Sequence, residues 1–449
     1  MKTLSVIGLG KLGGPLAACL ASRDFSVIGV DSDCGKVRAI NEGPFSSPEP
    51  GLGELISRHR ARLVAVDDIG YAVGHSSATF VVVSTPSEAD GRFSLREVLP
   101  VCRAIGTALR SKDSYHLVVV ASTVFPGAME EHLLPVLEDA SRKRAGQEFG
   151  LCYSPEFGAL GAVVSGFLNP DLLLIGEVDR RSGDHLELIY AQLCGDGPCV
   201  VRTTPASAEI AKCALNTFLA VKISYANMIA RICERIPSAD AGVVTKALGS
   251  DGRIDPAYLK GAISYGGPCL PRDVVAMRAL ARSLGLDDSL PAAVERLNGE
   301  RLEDLVGLIR TAAGRSRARK ATIGILGLAF KPHTDVTDHS PGLQLAELLA
   351  AEGDSVVVHD PLARPPLSVG IRRVEDAEVC VERTDIIVVA TPWPEYRGIA
   401  SALFARRAVI DCWGLLDEAQ LSRIADYIRP GLHPAVPATV PAPTRAHGS

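Results

Sequence analysis

The sequence predicts an α/β protein in which two doubly wound parallel sheets are joined by a long central helix. A glycine-rich turn, Gly8-Leu9-Gly10-Lys11-Leu12-Gly13, follows a short apolar strand near the N-terminus and leads into a helical pattern, which is typical of a parallel β–α unit. A second series of short apolar strands begins near residue 322. Between the two series, small and apolar residues recur at helical spacing from residue 206 to about residue 235.

The composition is that of a globular protein and argues against several classes of function. The chain has 449 residues, 47% hydrophobic and 22% charged, and its net charge of -5 offers no basic field for nucleic acid. No apolar run reaches the roughly 18 residues that a membrane span needs, and the N-terminus does not resemble a signal peptide. The 11 cysteines lack paired CxxC spacing, which argues against disulfides and a metal site. We therefore expect a cytoplasmic protein without membrane contact.

The first α/β unit has the pattern of a dinucleotide site. The strand at residues 4–7 precedes the GxGxxG turn, and the next strand, at 26–30, ends in Asp31. The glycines let backbone amides approach a pyrophosphate, and the acid accepts hydrogen bonds from the adenosine ribose. Because a carboxylate repels a ribose 2′-phosphate, NAD is favoured over NADP. Lys36 either reaches the same adenosine end or is a solvated helix residue.

Further strands end in polar residues that belong to one cleft if the sheet is doubly wound. The apolar runs 80–83 and 117–120 precede Thr85 and Thr123, and Glu156 follows another apolar stretch before a last strand at 172–176. Ligands of parallel sheets bind beyond the carboxyl ends of the strands. Glu156 is there a candidate base for activating water, although such residues taken singly are more often turn formers, caps or surface groups.

Two polar residues mark the central helix. Lys212 and Asn216 lie four residues apart, so they share one helix face. Such residues are ordinarily solvated, but here they interrupt an apolar helix, which favours a buried position facing a ligand. A helix this long and apolar also indicates packing against a partner chain.

The stretch most suggestive of chemistry is Gly266-Gly267-Pro268-Cys269-Leu270-Pro271-Arg272-Asp273. Glycines let the backbone approach a ligand, and Pro271 suits the first turn of a helix. We expect Cys269 to precede that helix, where the helix dipole lowers the pKa of the thiol, with Asp273 one turn further on. The alternative is a buried structural cysteine.

The second α/β unit has strands at 322–326, 355–358, 386–390 and 408–410 but no GxGxxG turn. We therefore expect it to hold something other than a dinucleotide. Lys331, after its first strand, suits a phosphate or a sugar hydroxyl. The basic run 315–320 is interpreted as a solvated linker, and the Pro- and Ala-rich stretch from about residue 430 is predicted to be disordered.

Taken together, the motifs resemble the UDP-glucose/GDP-mannose dehydrogenase family over about residues 1–430. The similar stretches are GLGKLGG, Asp31, STPSEADGRFSL, STVFPG, SPEF, AEIAKCALNTFLAVKISYAN, GRIDPAYL, GGPCLPRD, GLAFKPHTD, HDP and TPWPEY. The resemblance implies two Rossmann-like domains joined by a central helix that forms a homodimer or larger homo-oligomer. It implies an NAD-binding domain at 1–204, a helical dimerisation domain at 205–310, a nucleotide-sugar-binding domain at 311–430 and a disordered tail at 431–449.

The resemblance also implies a reaction and its residues. Family members oxidise carbon 6 of a nucleotide-sugar twice, and the cysteine at 269 is implied to hold the aldehyde as a thiohemiacetal and then as a thioester. Catalytic roles are implied for Cys269, Lys212, Asn216, Asp273, Glu156 and Thr123. The implied NAD-binding residues are Gly8, Gly10, Lys11, Leu12, Gly13, Asp31, Lys36, Thr85, Thr123 and Arg272. The implied substrate-binding residues are Glu156, Lys212, Asn216, Tyr258, Leu259, Lys260, Gly261, Ala262, Gly266 and Lys331, with Arg253 supplied to the site of a neighbouring subunit.

The chain departs from the family pattern at three positions. Leu160 stands where a second glutamate usually follows, and Asp338 replaces an arginine that helps to bind NAD. Arg272 replaces a lysine of different hydrogen-bonding geometry. Three functions are therefore open: a nucleotide-sugar 6-dehydrogenase that makes a uronic acid, a relative that oxidises an unusual nucleotide-sugar once, for example to a ketone, and an inactive binder of NAD and nucleotide-sugar.

Overall fold

The computed structural model describes residues 2–433 except 44, 46, 196 and 316–320. The basic run after residue 315 and the predicted tail from residue 434 onward lie outside the described residues. The first unit contains strands β1 (Thr3–Ile7), β2 (Ser26–Val30), β3 (Leu63–Val66), β4 (Ala78–Val81), β5 (Leu117–Val120), β6 (Gly150–Tyr153), β7 (Leu172–Glu177) and β8 (Cys199–Thr203). Its helices are α1 (Gly13–Ser22), α2 (Cys34–Glu42), α3 (Leu52–His59), α4 (Ile69–Gly74), α5 (Val98–Arg110), α6 (Leu134–Ser141), α7 (Val163–Leu168) and α8 (Arg180–Leu193), with a π-helical turn (Met129–Leu133) directly before α6.

The first sheet has eight strands in the order β3-β2-β1-β4-β5-β6-β7-β8. Strands β1 to β6 are parallel in the 3-2-1-4-5-6 order of a Rossmann sheet, whereas β7 is antiparallel to β6 and β8 is parallel to β7. The predicted fold class is confirmed, but the sequence did not predict β8 or the reversal of β7. Strand β4 also ends before the predicted residue 83, because the amide of Val83 donates to the hydroxyl of Ser122 instead of to a neighbouring strand (2.9 Å).

Along the chain, four helices separate the strands of the first sheet from those of the second: α9 (Pro205–Cys233), α10 (Ala241–Gly249), α11 (Leu270–Ser283) and α12 (Ser289–Arg315). Helix α9 has 29 residues and is therefore about 44 Å long. Its start is specified locally, since the side chain of Thr204 accepts from the amide of Ser207 and Pro205 occupies the first turn. No helix of the described residues is both long and apolar enough to span a bilayer.

The second unit is a smaller sheet with the same winding. Its six strands are all parallel, in the order β11-β10-β9-β12-β13-β14. They are β9 (Thr322–Leu326), β10 (Ser355–His359), β11 (Ile371–Arg373), β12 (Ile386–Val389), β13 (Ala408–Asp411) and β14 (Asp426–Ile428), and the accompanying helices are α13 (Pro341–Ala351), α14 (Ala377–Glu382) and α15 (Glu418–Leu421). Strands β9, β12 and β13 are almost wholly buried, as expected for a sheet covered on both faces.

The segment before α11 packs directly against the second unit, and its glycines make this contact possible. A Cβ atom on Gly266 would collide with the carbonyl of His339, and one on Gly267 would lie 2.6 Å from the ring of Phe330. The amide of Gly267 donates to the carbonyl of Asp338 (2.8 Å). The glycines are therefore needed for the approach of two protein segments.

Replacing Gly267 by alanine should destabilise this junction. Gly267 has a φ of +89°, so the alanine adds left-handed strain of about 1–2 kcal/mol to the collision with Phe330. Gly285 is a matched control, because it has a φ of +68° and no heavy atom within 4 Å of its Cβ position. In thermal unfolding, Gly267→Ala should lower the melting temperature clearly more than Gly285→Ala. Equal losses would mean that the Phe330 contact contributes nothing.

Candidate active site

The glycine turn after β1 is tightly packed against backbone at Gly8 and Gly13 and open at Gly10 between them. Gly8 has a φ of +93°, and a Cβ on Gly8 or Gly13 would collide with the backbone of Val82 or of Gly8, respectively. Gly10, in contrast, has no heavy atom within 4 Å of its Cβ position. Leu12 is the N-cap residue of α1 and offers no side-chain cap. The turn therefore leaves the N-terminus of α1 accessible to an anion, which fits the pyrophosphate of a dinucleotide.

Asp31, at the end of β2, is held in place beside this turn. Its carboxylate accepts from the amides of Leu9 (2.8 Å) and Asp33 (2.9 Å) and pairs with the Lys36 ammonium at 3.3 Å. Partial burial opposes ionisation, but these hydrogen bonds and the Lys36 charge outweigh it and lower the pKa of Asp31. An ionised, partly accessible carboxylate at this position fits the ribose hydroxyls of NAD.

A pocket of about 620 Å³ opens next to Asp31 and is lined by both units. Lys11 of the glycine turn reaches Asp335 of the second unit (2.8 Å), while His333 and Thr334 form part of the same wall. Leu160, the departure noted in the sequence, also lines it. The residues present therefore fit the adenosine part of NAD, with the second unit covering what the first unit holds.

A buried carboxylate joins α9 to α11. Asp273 is fully buried, and its Oδ2 accepts from the side-chain amide of Asn216 (2.6 Å) while its Oδ1 accepts from Nε of Arg272 (3.1 Å). Lys212, on the same face of α9, is 5% exposed and Asn216 is 7% exposed. Both polar residues of the central helix are thus buried, and Asn216 connects α9 to α11 through Asp273; that they face a ligand stays a prediction.

Cys269 lies immediately before α11, as its N-cap residue, and is exposed to solvent. The expected lowering of its pKa is wrong for this structure. Desolvation by the surrounding walls raises the pKa of the thiol, and the negative charges of Asp273 and Asp338 add to this, whereas Lys212 and Arg272 act in the opposite direction. These surroundings therefore disfavour the thiolate, which is the nucleophilic form of a cysteine.

Glu156 contributes its backbone and its side chain to different places. Its carbonyl accepts from the Lys212 ammonium, which also lies 4.6 Å from the centre of the Phe157 ring. Its carboxylate accepts from the amide of Gly158 (2.7 Å) and lines a small cavity with Phe167 of α7. Burial raises the pKa of this carboxyl. The carboxylate of the predicted base therefore binds the backbone of its own loop, and its hydrogen bond to α9 is made through its carbonyl, although the Lys212 charge also acts on the carboxylate.

Arg272 links α11 to the strand ends of the first sheet. Its guanidinium donates to the carbonyl of Thr85 (3.4 Å) and lies 4.5 Å from the centre of the Phe93 ring. The Thr85 hydroxyl in turn donates to the carbonyl of Thr123 (2.6 Å). Both threonines that follow predicted strands thus lie at the same edge as the start of α11, as parallel strand order requires.

The segment that precedes the cysteine crosses from α9 to the second unit. The side chain of Asn227 fixes it to α9 by accepting from the amide of Ala262 (2.9 Å) and donating to the carbonyl of Ile263 (3.1 Å). Leu259, Ala262 and Gly266 are buried, and Gly261 packs against the backbone of Ala226. Tyr258 is 48% exposed with a φ of +63°, a strained conformation for an aromatic residue.

Two lysines and one arginine of the predicted substrate site have distinct surroundings. Lys260 donates to the carbonyl of Trp413, at the end of β13 (2.7 Å). Desolvation lowers the pKa of Lys331, and the charges of Glu49 and Cys269 oppose this. Arg253 is strongly exposed and pairs with Asp251 (2.7 Å), so it does not reach the crevice of its own subunit.

Sequence reasoning missed two buried glutamates that hold loops around this region. Glu49 accepts from the amides of Gly161 (2.8 Å) and Val163 (2.6 Å) at the start of α7, and Glu209 of α9 binds the loop after β5. Glu209 precedes Lys212 by one helical turn inside an apolar helix, and that spacing was a usable signal. No comparable pattern marks Glu49.

The described residues contain no group of three or more His, Cys, Asp or Glu residues that could hold a metal ion.

Comparison with known proteins gives the family. Models of the UDP-glucose/GDP-mannose dehydrogenase family match in three parts: the NAD binding domain over residues 2–194, the central domain over 206–300 and the UDP binding domain over 324–418. The chain belongs to the UDP-glucose/GDP-mannose dehydrogenase family. It is therefore an NAD-dependent nucleotide-sugar dehydrogenase.

Relatives that are named for different substrates are about equally similar to this chain. It is 35% identical to UDP-glucose 6-dehydrogenase AglM of Haloferax volcanii, over 91% of this chain and 96% of the relative. It is 32% identical to GDP-mannose 6-dehydrogenase of Azotobacter vinelandii, over 92% and 97%. Among solved structures, a UDP-glucose dehydrogenase from Pyrobaculum islandicum matches with a TM-score of 0.87 and 33% identity, over 96% of this chain and 98% of that one.

The thiol environment gives a direct test. Asp338 raises the pKa of Cys269, so Asp338→Asn should shift the pH dependence of iodoacetamide alkylation at Cys269 to lower pH. Mass spectrometry of the peptide that contains Cys269 measures this rate. Asp335→Asn is the matched control from the same loop, because Asp335 pairs with Lys11. If neither variant shifts the profile, Asp338 does not act on the thiol.

Proposed function

We propose that this dehydrogenase oxidises carbon 6 of a nucleotide-sugar twice, in the manner of UDP-glucose to UDP-glucuronate, through a covalent adduct on Cys269. The observation that carries the proposal is the position of Cys269: an exposed thiol at the start of α11, one turn before the Asp273 carboxylate that Asn216 binds, with Lys212 and Lys331 within electrostatic range. A sulfur nucleophile next to cationic groups suits capture of an aldehyde.

NAD is proposed to bind at the glycine turn and the neighbouring strand ends of the first unit. The residues assigned to it are Gly8, Gly10, Lys11, Leu12, Gly13, Asp31, Lys36, Thr85, Thr123 and Arg272. NAD held there would supply the hydride acceptor for both oxidations of carbon 6. The nucleotide-sugar is proposed to lie between the two units, with its carbon 6 near Cys269. The residues assigned to it are Tyr258, Leu259, Lys260, Gly261, Ala262, Gly266 and Lys331. Lys331 would supply positive charge to this anionic substrate.

In the proposed chemistry the sulfur of Cys269 adds to the carbon of the aldehyde formed by the first oxidation. The thiol proton leaves to water, and the carbonyl oxygen becomes the oxygen of a thiohemiacetal. Lys212 and Asn216 stabilise the negative charge that this oxygen carries. Loss of the second hydride converts the adduct to a thioester. Water then adds to the thioester carbon, the sulfur leaves and takes up a proton, and the carboxylic acid is released.

The proton transfers are assigned to Asp273 and Thr123 acting through water. Asp273 is fixed by Asn216 and Arg272, and its position one helical turn after Cys269 suits a water held by the sulfur. Glu156 is assigned a different part from the one expected. Because its carboxylate lies in the adjoining cavity, we propose that its carbonyl orients the Lys212 ammonium.

The decisive experiment counts NADH per sugar. Purified protein is supplied with UDP-, GDP- and dTDP-sugars, and absorbance of NADH is compared with the sugar consumed; the proposal requires two NADH per sugar with at least one substrate. Cys269→Ala should abolish acid formation and release aldehyde. Cys199→Ala is the matched control, since Cys199 is also exposed but lies in β8, and it should retain full activity.

Each other result has a defined meaning. One NADH per sugar would favour a single oxidation. That result would be in keeping with Leu160, which stands where the family usually has a glutamate, and with Asp338, which stands where it usually has an arginine. No NADH with any sugar would favour the inactive binder. Full acid formation by Cys269→Ala would exclude the thioester route.

We also propose that α9 pairs with a second copy of the chain. Ile210, Phe218, Tyr225 and Ile232 are 45–63% exposed and recur every seven or eight residues, so they form one apolar stripe along the helix. Phe218 is the most exposed of the four at 63%. Arg253, exposed and directed away from its own crevice, is proposed to complete the site of the partner.

Introducing negative charges into this apolar stripe should separate the subunits. Phe218→Glu combined with Tyr225→Glu should convert a dimer into a monomer, measured by light scattering after size-exclusion chromatography, because burying two carboxylates at an apolar interface is costly. Leu284→Glu is the control: Leu284 is 64% exposed but follows α11. An unchanged mass for the double variant would contradict the proposed interface.

A further inference from the structure

Glu209 is a buried carboxyl group for which the proposed chemistry has no use. It lies in α9 and is 0% exposed. Its Oε2 accepts from the amide of Gly127 (2.7 Å), and its Oε1 accepts from the amide of Met129 (2.8 Å). Each oxygen thus has a backbone partner in the segment that joins β5 to the π-helical turn. A buried carboxyl group used in this way holds one segment against another.

The bound segment carries Thr123. It leaves β5 at the edge where the ligand crevice lies, passes through a turn at Gly127 with a φ of +98°, and enters the helical turn at Met129. At its other end the carbonyl of Thr123 accepts from the hydroxyl of Thr85. The segment is therefore held at two points, by Thr85 from the first sheet and by Glu209 from α9.

Glu209 shares its helix face with the polar residues of the site. Positions 209, 212 and 216 are separated by three and four residues, so their side chains lie on one side of α9. The carboxyl group that holds the Thr123 segment and the side chains of Lys212 and Asn216 consequently belong to one rigid element. Their relative positions change only if the helix or the two amide contacts change.

We propose that Glu209 is a positioning residue for the oxidation, which sets Thr123 at its working distance from Lys212 and Asn216. This inference rests on the proposed function for the role of Thr123, but the contact itself does not. A glutamate suits this position because two amide donors require two acceptor atoms on one side chain.

The surroundings of Glu209 make its charge depend on pH in the neutral range. Burial, together with the smaller effect of the Glu130 and Glu131 charges, raises its pKa to about 7 against the opposing effect of the two amides. Tyr153 of β6 and Cys213 of α9 also face it. If the segment opens, Glu209 returns to water and to the pKa of an ordinary carboxyl. Ionisation therefore favours opening, and the open fraction should grow as the pH rises towards about 7.

Hydrogen exchange and steady-state kinetics on the full-length protein test the proposal together. Glu209→Ala removes both acceptors, so the amides of Gly127 and Met129 should exchange at least tenfold faster. The kcat of sugar oxidation should fall at least tenfold while the KM for the nucleotide-sugar stays within twofold, because Thr123 is not among the residues proposed to hold that substrate. Asp179→Ala is the matched control: Asp179 caps α8 through the amide of Ser182, at the opposite edge of the sheet, and its loss should leave both readouts unchanged.

A second variant keeps the test decisive if Glu209→Ala folds poorly. Glu209→Gln cannot titrate, so the rise in opening between pH 5 and 7.5, corrected for intrinsic exchange, should be present in the unaltered protein and absent from this variant. Unchanged exchange in Glu209→Ala, unchanged kcat despite faster exchange, or the same pH dependence in Glu209→Gln would each overturn the proposal. Failure of the unaltered protein to reduce NAD would overturn the proposed function, while the exchange data would still report on the Glu209 contact.

Discussion

The carboxylate of Asp273 is the interaction on which the arrangement of the site depends. It is fully buried, and removing either partner of such a charge is costly because the remaining charge is left unsatisfied. Asn216 brings α9 to it, and Arg272 extends the connection to Thr85 in the segment that follows β4. The position of Cys269 relative to Lys212 is therefore fixed by one charge shared among three elements.

The second unit contributes the other half of this arrangement through backbone contact. Because Gly266 and Gly267 lack side chains, the segment before Cys269 lies directly against His339 and Phe330. Gly161 makes a similar approach to the backbone of His333. The thiol thus stands where segments of both units converge, which explains why its pKa responds to Asp338 of the second unit as well as to Lys212 of the central helix.

Local features of the site were predictable from the sequence, and features that depend on assembly were not. The GxGxxG turn and the helix after Cys269 follow from short-range rules for glycine and proline. The pKa of Cys269 depends on desolvation and charges from several distant segments around the exposed thiol, so the helix dipole alone gave the wrong direction. Glu156 was placed correctly at a strand end, but the orientation of its carboxylate is set by the amides of Phe157 and Gly158 and by α7 packing behind it.

A comparison of two aspartates explains why one sheet suits a dinucleotide and the other does not. Asp31 and Asp360 both follow the second strand of their sheet and accept amides from the turn after the first strand. Asp31 has few partners and remains partly accessible, so it can still accept ribose hydroxyls. Asp360 is 1% exposed; it accepts from the amides of Leu328, Ala329, Leu362 and Ala363 and from the indole of Trp393. Since its oxygens are already satisfied within the protein, the same position in the second sheet stabilises a turn, and the space beside that turn is left for a different ligand.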